Sequence, residues 1–179
     1  LMQDENNRVW IIDDGTNATW NPRRGRIDYD EYIRDILVQL MASYEVEHDS
    51  RNPRLVILSG DCAHRNVPDK IRAGHFRTVF HLASDVSVIK SIEEPMTTLE
   101  RNVVKTLKIA KACGEGKTRL VFSSSAAVYG RVDIRLPIKE DHPTRPTSPY
   151  GLSKLTCENW LESYRGLYDL DYVALRYFN

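Results

Sequence analysis

Short, nearly unbroken apolar runs alternate along this chain with segments of helical period, and that alternation leaves few folds open. Val9-Trp10-Ile11-Ile12, Leu55-Val56-Ile57-Leu58, Thr78-Val79-Phe80-His81-Leu82, Leu120-Val121-Phe122 and Tyr172-Val173-Ala174-Leu175 read as strands. Runs without in–out alternation suit strands buried on both faces, the habit of parallel sheets. Between them, Tyr29, Tyr32, Ile33, Ile36, Leu37, Leu40, Met41 and Tyr44 recur at helical spacing from Asp28 to about Glu45. Val67 to Phe76 has room for a brief helix only. Met96, Leu99, Val103, Leu107 and Ala110 mark a further helical face, with Pro95 near its start and Gly114 just past its end. A proline-rich loop (Pro137, Pro143, Pro146, Pro149) leads into a helix over roughly Tyr150–Tyr168. With no repeat or dividing linker, the expectation is an α/β fold, a doubly wound parallel sheet in one domain over residues 1–179.

Composition removes several functions. The 179 residues carry 25 basic and 25 acidic side chains, so no cationic excess exists to neutralise nucleic-acid phosphates. No apolar run approaches the roughly 18 residues of a membrane span, and Leu1-Met2-Gln3-Asp4-Glu5 lacks the basic and apolar regions of a secretory signal. Cys62, Cys113 and Cys157 are odd in number and unpaired in spacing, which suits reduced thiols in a cytoplasmic protein. The five histidines have no ligand-spaced partner, so no metal is expected. Gly114-Glu115-Gly116-Lys117-Thr118 imitates the end of a phosphate-binding loop, but Lys111 stands where the first glycine belongs. The segment also leaves a helix for a strand, the reverse of that loop, and reads as a glycine C-cap and turn.

Tyr150 and Lys154 carry more. Four residues apart on a helix, they share one face one turn apart. An ammonium beside a phenol favours the phenolate, which makes a tyrosine usable as a general base. Ser123-Ser124-Ser125 ends the strand upstream, and in a parallel sheet ligands bind at the carboxyl ends of strands. A hydroxyl, a phenol and an ammonium converging there could move a proton off a sugar alcohol while a hydride leaves its carbon.

Four ordered segments then resemble one family: Ser123-Ser124-Ser125-Ala126-Ala127-Val128-Tyr129-Gly130, Glu140-Asp141-His142-Pro143, Ser148-Pro149-Tyr150-Gly151-Leu152-Ser153-Lys154 and Arg176-Tyr177-Phe178-Asn179. They are similar to the UDP-glucose (UDP-galactose) 4-epimerases of the extended short-chain dehydrogenase/reductase group. The resemblance implies a Rossmann-like fold, NAD as cofactor and a UDP-hexose substrate. It implies C4 epimerisation through a 4-keto sugar, in a protein that is a homodimer when full length.

Position by position, the resemblance puts Asp13, with Asp14 beside it, at the adenosine ribose, where an acid repels a 2′-phosphate and favours NAD. Asp61 and Cys62 would lie beside the adenine. Leu82, Ala83 and Ser84 would line the pyrophosphate side, and Asn102 and Phe178 would stand near the nicotinamide. Ser125 would hydrogen-bond the sugar O4, Tyr150 would be the acid/base, Lys154 would hold the nicotinamide ribose, and Asn179 would touch the nucleotide sugar. Related 4,6-dehydratases carry an Asp-Glu pair where this chain has Ala126 and Ala127, so dehydration is disfavoured.

The chain also departs from the pattern. No G-x-x-G-x-x-G or G-x-G-x-x-G occurs, and Leu1–Asn7 resembles the end of the family's first helix. Val86 stands where several epimerases place Lys, and Lys105 replaces a common Gly. The resemblance thus implies an interior slice, lacking the first strand–glycine loop–helix unit and the substrate domain, that by itself turns over nothing. Two alternatives stay open: another nucleotide-sugar dehydrogenase of the group (decarboxylase or reductase), or a non-catalytic Rossmann-like interaction module.

Overall fold

The computed structural model describes residues 9–13, 20–21, 26–27, 55–59, 61–64, 66–132 and 137–178. The chain divides into two compact units, Leu1–Cys62 and Ala63–Asn179. In the first, β1 (Val9–Asp13) and β4 (Leu55–Ser59) pair in parallel, with Val9 opposite Leu55 and Asp13 opposite Ser59. Both are apolar runs, and both end at their carboxyl side on a polar residue. Between them, β2 (Trp20–Asn21) and β3 (Arg26–Ile27) form a small antiparallel ribbon where the sequence suggests only a polar loop. Two residues a side are too few to leave a period in the sequence. The helix expected over Asp28–Glu45 lies outside the described residues.

The second unit is a three-stranded parallel sheet in the order β5 (Thr78–His81), β6 (Arg119–Ser125), β7 (Tyr172–Tyr177). Parallel neighbours need long crossovers, and the helices supply them. α1 (Asn66–Arg72) precedes β5, and α2 (Val88–Glu93) follows it. A continuous helical run leads to β6: α3 (Pro95–Thr98), a π-helical turn (Leu99–Val104) and α4 (Lys105–Glu115). A 3₁₀ turn (Ala126–Tyr129) follows β6, and α5 (Pro149–Tyr168) leads to β7. Ile109, Cys113, Leu120, Phe122, Cys157 and Leu161 form the heart of the core between β6, α4 and α5.

Two expectations shift in detail. The helical face predicted from Met96, Leu99, Val103, Leu107 and Ala110 is buried only in its second half: Val103 and Ala110 are buried and Leu107 packs on the core, whereas Met96 is 71% and Leu99 43% exposed and Thr98, Asn102 and Thr106 take the inner positions. The π turn inserts one extra residue and re-phases the stripe. Gly114 lies inside α4 rather than past its end. Gly116 is the C-cap and Lys117 takes the left-handed conformation at φ 53°. Gly114 instead allows close approach, since a Cβ there would stand 2.7 Å from that of Tyr168.

Candidate active site

The site collects at the carboxyl ends of β6 and β7. Ser125, the last residue of β6, is also the N-cap of the 3₁₀ turn, its Oγ accepting the Ala127 N–H at 3.2 Å. That bond occupies a lone pair and leaves the hydroxyl proton free to donate. Two glycines bring the neighbouring backbones close. Gly130 sits at φ 71° with the Arg145 carbonyl packed where a Cβ would be, and Gly151 lies against the Ala127 carbonyl in the same way. The second approach sets the first turn of α5 on the turn that follows Ser125.

α5 starts on a strong signal. Ser148 is its N-cap, accepting the Gly151 N–H at 3.1 Å, and Pro149 occupies the first helical position. Tyr150 follows, half-buried, and its hydroxyl makes no hydrogen bond among the described residues. One turn later Lys154 is buried at 3% exposure, donating from Nζ to the Ser123 carbonyl at 2.8 Å. Its ammonium lies 5.0 Å from the Phe122 ring centre and 5.9 Å from that of Tyr150. Burial lowers the Lys154 pKa to about 8, with the nearby Cys157 thiol opposing slightly.

Polar networks brace these residues. Arg176 of β7 clamps the Glu158 carboxylate, with Nη2 at 2.7 Å from Oε2, and donates to the Tyr129 hydroxyl at 2.8 Å and the Glu140 carbonyl at 2.9 Å. Ser124 donates to the same carboxylate. Strand end, 3₁₀ turn, 137–148 loop and α5 are thus tied through one guanidinium. Asn102, 2% exposed, accepts the Asp85 N–H through Oδ1 at 2.7 Å and donates through Nδ2 to the Asp85 carbonyl and Ser153 Oγ.

Deeper still, His81 Nε2 meets Thr106 Oγ1 at 2.9 Å. The Thr106 proton goes to the Asn102 carbonyl, so Nε2 carries the hydrogen of that bond. Burial, with a smaller contribution from Lys154, lowers the His81 pKa to about 4. Below its ordinary value of about 6.5 the unfolded chain therefore takes up a proton that the folded chain refuses. Stability is lost as pH falls from about 6.5 towards 4, by about 3 kcal/mol from this group. Urea midpoints between pH 7 and 4 check this, and His81→Gln is expected to flatten that part of the fall.

The other residues marked from the sequence are placed as follows. Leu82, Ala83 and Ser84 leave the carboxyl end of β5, with Leu82 62% exposed and Ser84 half-buried. Phe178 is 58% exposed, its ring 6.1 Å from that of Tyr129. In the first unit Asp13 closes β1, and Asp61 and Cys62 follow the end of the paired β4. Asp14 and Asn179 lie outside the described residues. Sequence reasoning assigns no role to Glu158 or Ser91, and marks Arg176 only as part of the Arg176–Asn179 segment. Arg176 left a trace, since strand alternation puts a charge on the helix-covered face of β7 and so demands a buried partner.

The comparisons agree with this architecture. The family profile described as GDP-mannose 4,6 dehydratase matches residues 33–179. The UDP-glucose 4-epimerase of Halalkalibacterium halodurans is 39% identical over 122 residues, covering 67% of this chain and 36% of that protein. The UDP-glucose 4-epimerase of Brucella ovis, solved with NAD, superposes with a TM-score of 0.69 at 29% identity, over 96% of this chain and 52% of that one. The UDP-N-acetylglucosamine 4-epimerase of Methanobrevibacter ruminantium, solved with UDP-N-acetylmuramic acid, gives 0.70 at 28%, over 97% and 55%. The chain thus spans about a third to a half of the length of these proteins. A Rossmann-like parallel sheet, a serine–tyrosine–lysine cluster at its carboxyl edge and a profile covering most of the sequence lead to one conclusion: the chain belongs to the nucleotide-sugar epimerase/dehydratase family of the extended short-chain dehydrogenases/reductases.

Proposed function

We propose that the full-length protein interconverts a UDP-hexose and its C4 epimer through a 4-keto intermediate, with NAD as cofactor. The observation that carries this reading is the set Ser125, Tyr150 and Lys154 at one end of the sheet, each with unused hydrogen-bonding capacity. Lys154 tests the fit to the cofactor. A buried ammonium has three donors, yet among the described residues it makes one hydrogen bond, to Ser123. Hydroxyls of a nicotinamide ribose would satisfy the remainder. NAD, when bound, supplies the acceptor and donor for the C4 hydrogen.

Within this reading Ser125 donates its free proton to the sugar O4 and orients it. Tyr150 takes the O4 proton as the ketone forms and returns it as the alcohol is restored. Lys154 keeps a positive charge near the phenolic ring, and the arginine-centred clamp holds the Ser125 strand end. Asp13 would bind the adenosine ribose and Asp14 would share that contact. Asp61 and Cys62 would flank the adenine, Leu82, Ala83 and Ser84 the pyrophosphate, and Asn102 and Phe178 the nicotinamide half. Asn179 would touch the nucleotide sugar. Both units would then belong to one NAD-binding domain. Exposed Leu152 and Trp160 on α5 support a homodimer through that helix.

Dehydration, suggested by the name of the matching profile, is disfavoured by Ala126 and Ala127, which start the 3₁₀ turn and carry no group that could move a proton. The test offers the full-length protein UDP-galactose and GDP-mannose separately. UDP-glucose from the first and no loss of water from the second is the expected result. A dehydrated product would reverse the reading.

A further inference from the structure

Tyr150 stands in the first turn of α5, where backbone N–H groups have no acceptor within the helix and the chain is prone to fray. Pro149 has no N–H, and Ser148 Oγ takes that of Gly151. The Tyr150 N–H goes elsewhere, to the Oγ of Ser91 on α2 at 3.1 Å, across 59 residues of sequence. Ser91 is 1% exposed and gives its own proton to the Val88 carbonyl at 2.6 Å, so a lone pair is what it turns to Tyr150. Its helix is itself fixed: Ser87 caps α2 by accepting the Lys90 N–H at 3.2 Å. One turn beyond Tyr150, Lys154 is tied to the Ser123 carbonyl. The peptide bearing the phenol is thus held from two sides, by α2 at its start and by β6 one turn later.

We propose that Ser91 is a positioning residue for Tyr150, anchoring the first turn of α5 so that the phenol keeps its place relative to Ser125 and Lys154. The proposal builds on Tyr150 being the acid/base of the reaction. Ser91 touches no reacting atom. It acts through the Tyr150 peptide, and misplacing a catalytic group by an ångström can cost about a hundredfold in rate.

Ser91→Ala removes the acceptor while keeping the shape, and Ser148→Ala is its counterpart, releasing Gly151 instead. In the full-length protein, Ser91→Ala is expected to speed hydrogen exchange of the Tyr150 amide roughly tenfold while leaving the Gly151 amide protected. Ser148→Ala should do the reverse. In the full-length protein, Ser91→Ala should lower kcat on UDP-galactose by about 10- to 100-fold with little change in KM. A Tyr150 amide as protected as in the parent, or a freed amide with parental kcat, overturns the proposal. A parent that converts no UDP-galactose would sink the epimerase reading instead, and the amide comparison then decides alone whether Ser91 holds this peptide.

Discussion

Replacing Tyr150 by Phe should reduce UDP-galactose turnover by the full-length protein about 10³-fold, within the range general acid–base groups contribute, and leave the unfolding midpoint unchanged. The two halves of this result come from one observation. The Tyr150 ring is half-buried, yet its hydroxyl has no hydrogen-bond partner among the described residues, so removing the oxygen leaves nothing unsatisfied. What would be lost, on the proposed mechanism, is the atom that takes and returns the O4 proton. Turnover assays and thermal melts of parent and Tyr150→Phe protein check both halves. Activity retained in that variant would remove Tyr150 from the chemistry.

Lys154→Met should separate function from stability in the opposite direction. Lys154 is buried at 3% exposure with a pKa of about 8, against an ordinary value near 10.5. The unfolded chain therefore binds the proton more tightly, and at neutral pH the folded state carries a charge it partly resists. That penalty is complete below about pH 8 and is relieved as pH rises towards 10.5. The contribution of Lys154 therefore rises across this window and offsets the loss that the buried Cys113 and Cys157 thiols bring above about pH 9. Methionine has similar length and no charge. It removes the penalty but loses the bond to Ser123, for a net gain of about 1–2 kcal/mol at pH 7. Between pH 8 and 10.5 the variant should lose stability more steeply than the parent, because the offsetting gain from Lys154 is gone. Turnover should nonetheless fall about 100-fold or more, because no cation remains beside the Tyr150 ring. Greater stability with lower activity would mark Lys154 as a residue kept for chemistry at the expense of folding.

Much of this molecule is legible in its sequence because its strands are apolar and its helix boundaries are chemically marked. Ser148-Pro149 fixes the start of α5, and the strand over 120–122 extends through the three serines to Ser125, as its run into them suggests. Legibility fails where polar side chains are buried. Thr98, Asn102 and Thr106 occupy the inner face of the helical run before β6, and a hydrophobic stripe cannot register them. The π turn then shifts the phase, which is why Met96 and Leu99 face solvent. Long-range ties are hidden for a different reason. Nothing local in Ser91 or Glu158 announces a bond to Tyr150 or Arg176, since those partners meet only through the fold.

The central claim is that this site oxidises and re-reduces the same sugar carbon. Its most direct test is the conversion of UDP-galactose deuterated at C4 by the full-length protein in ordinary water, read by NMR of the product. UDP-glucose with deuterium still at C4 is the predicted result, because the hydrogen removed from that carbon is the one returned to its other face. A product carrying solvent hydrogen at C4, or one that has lost water, would contradict the account.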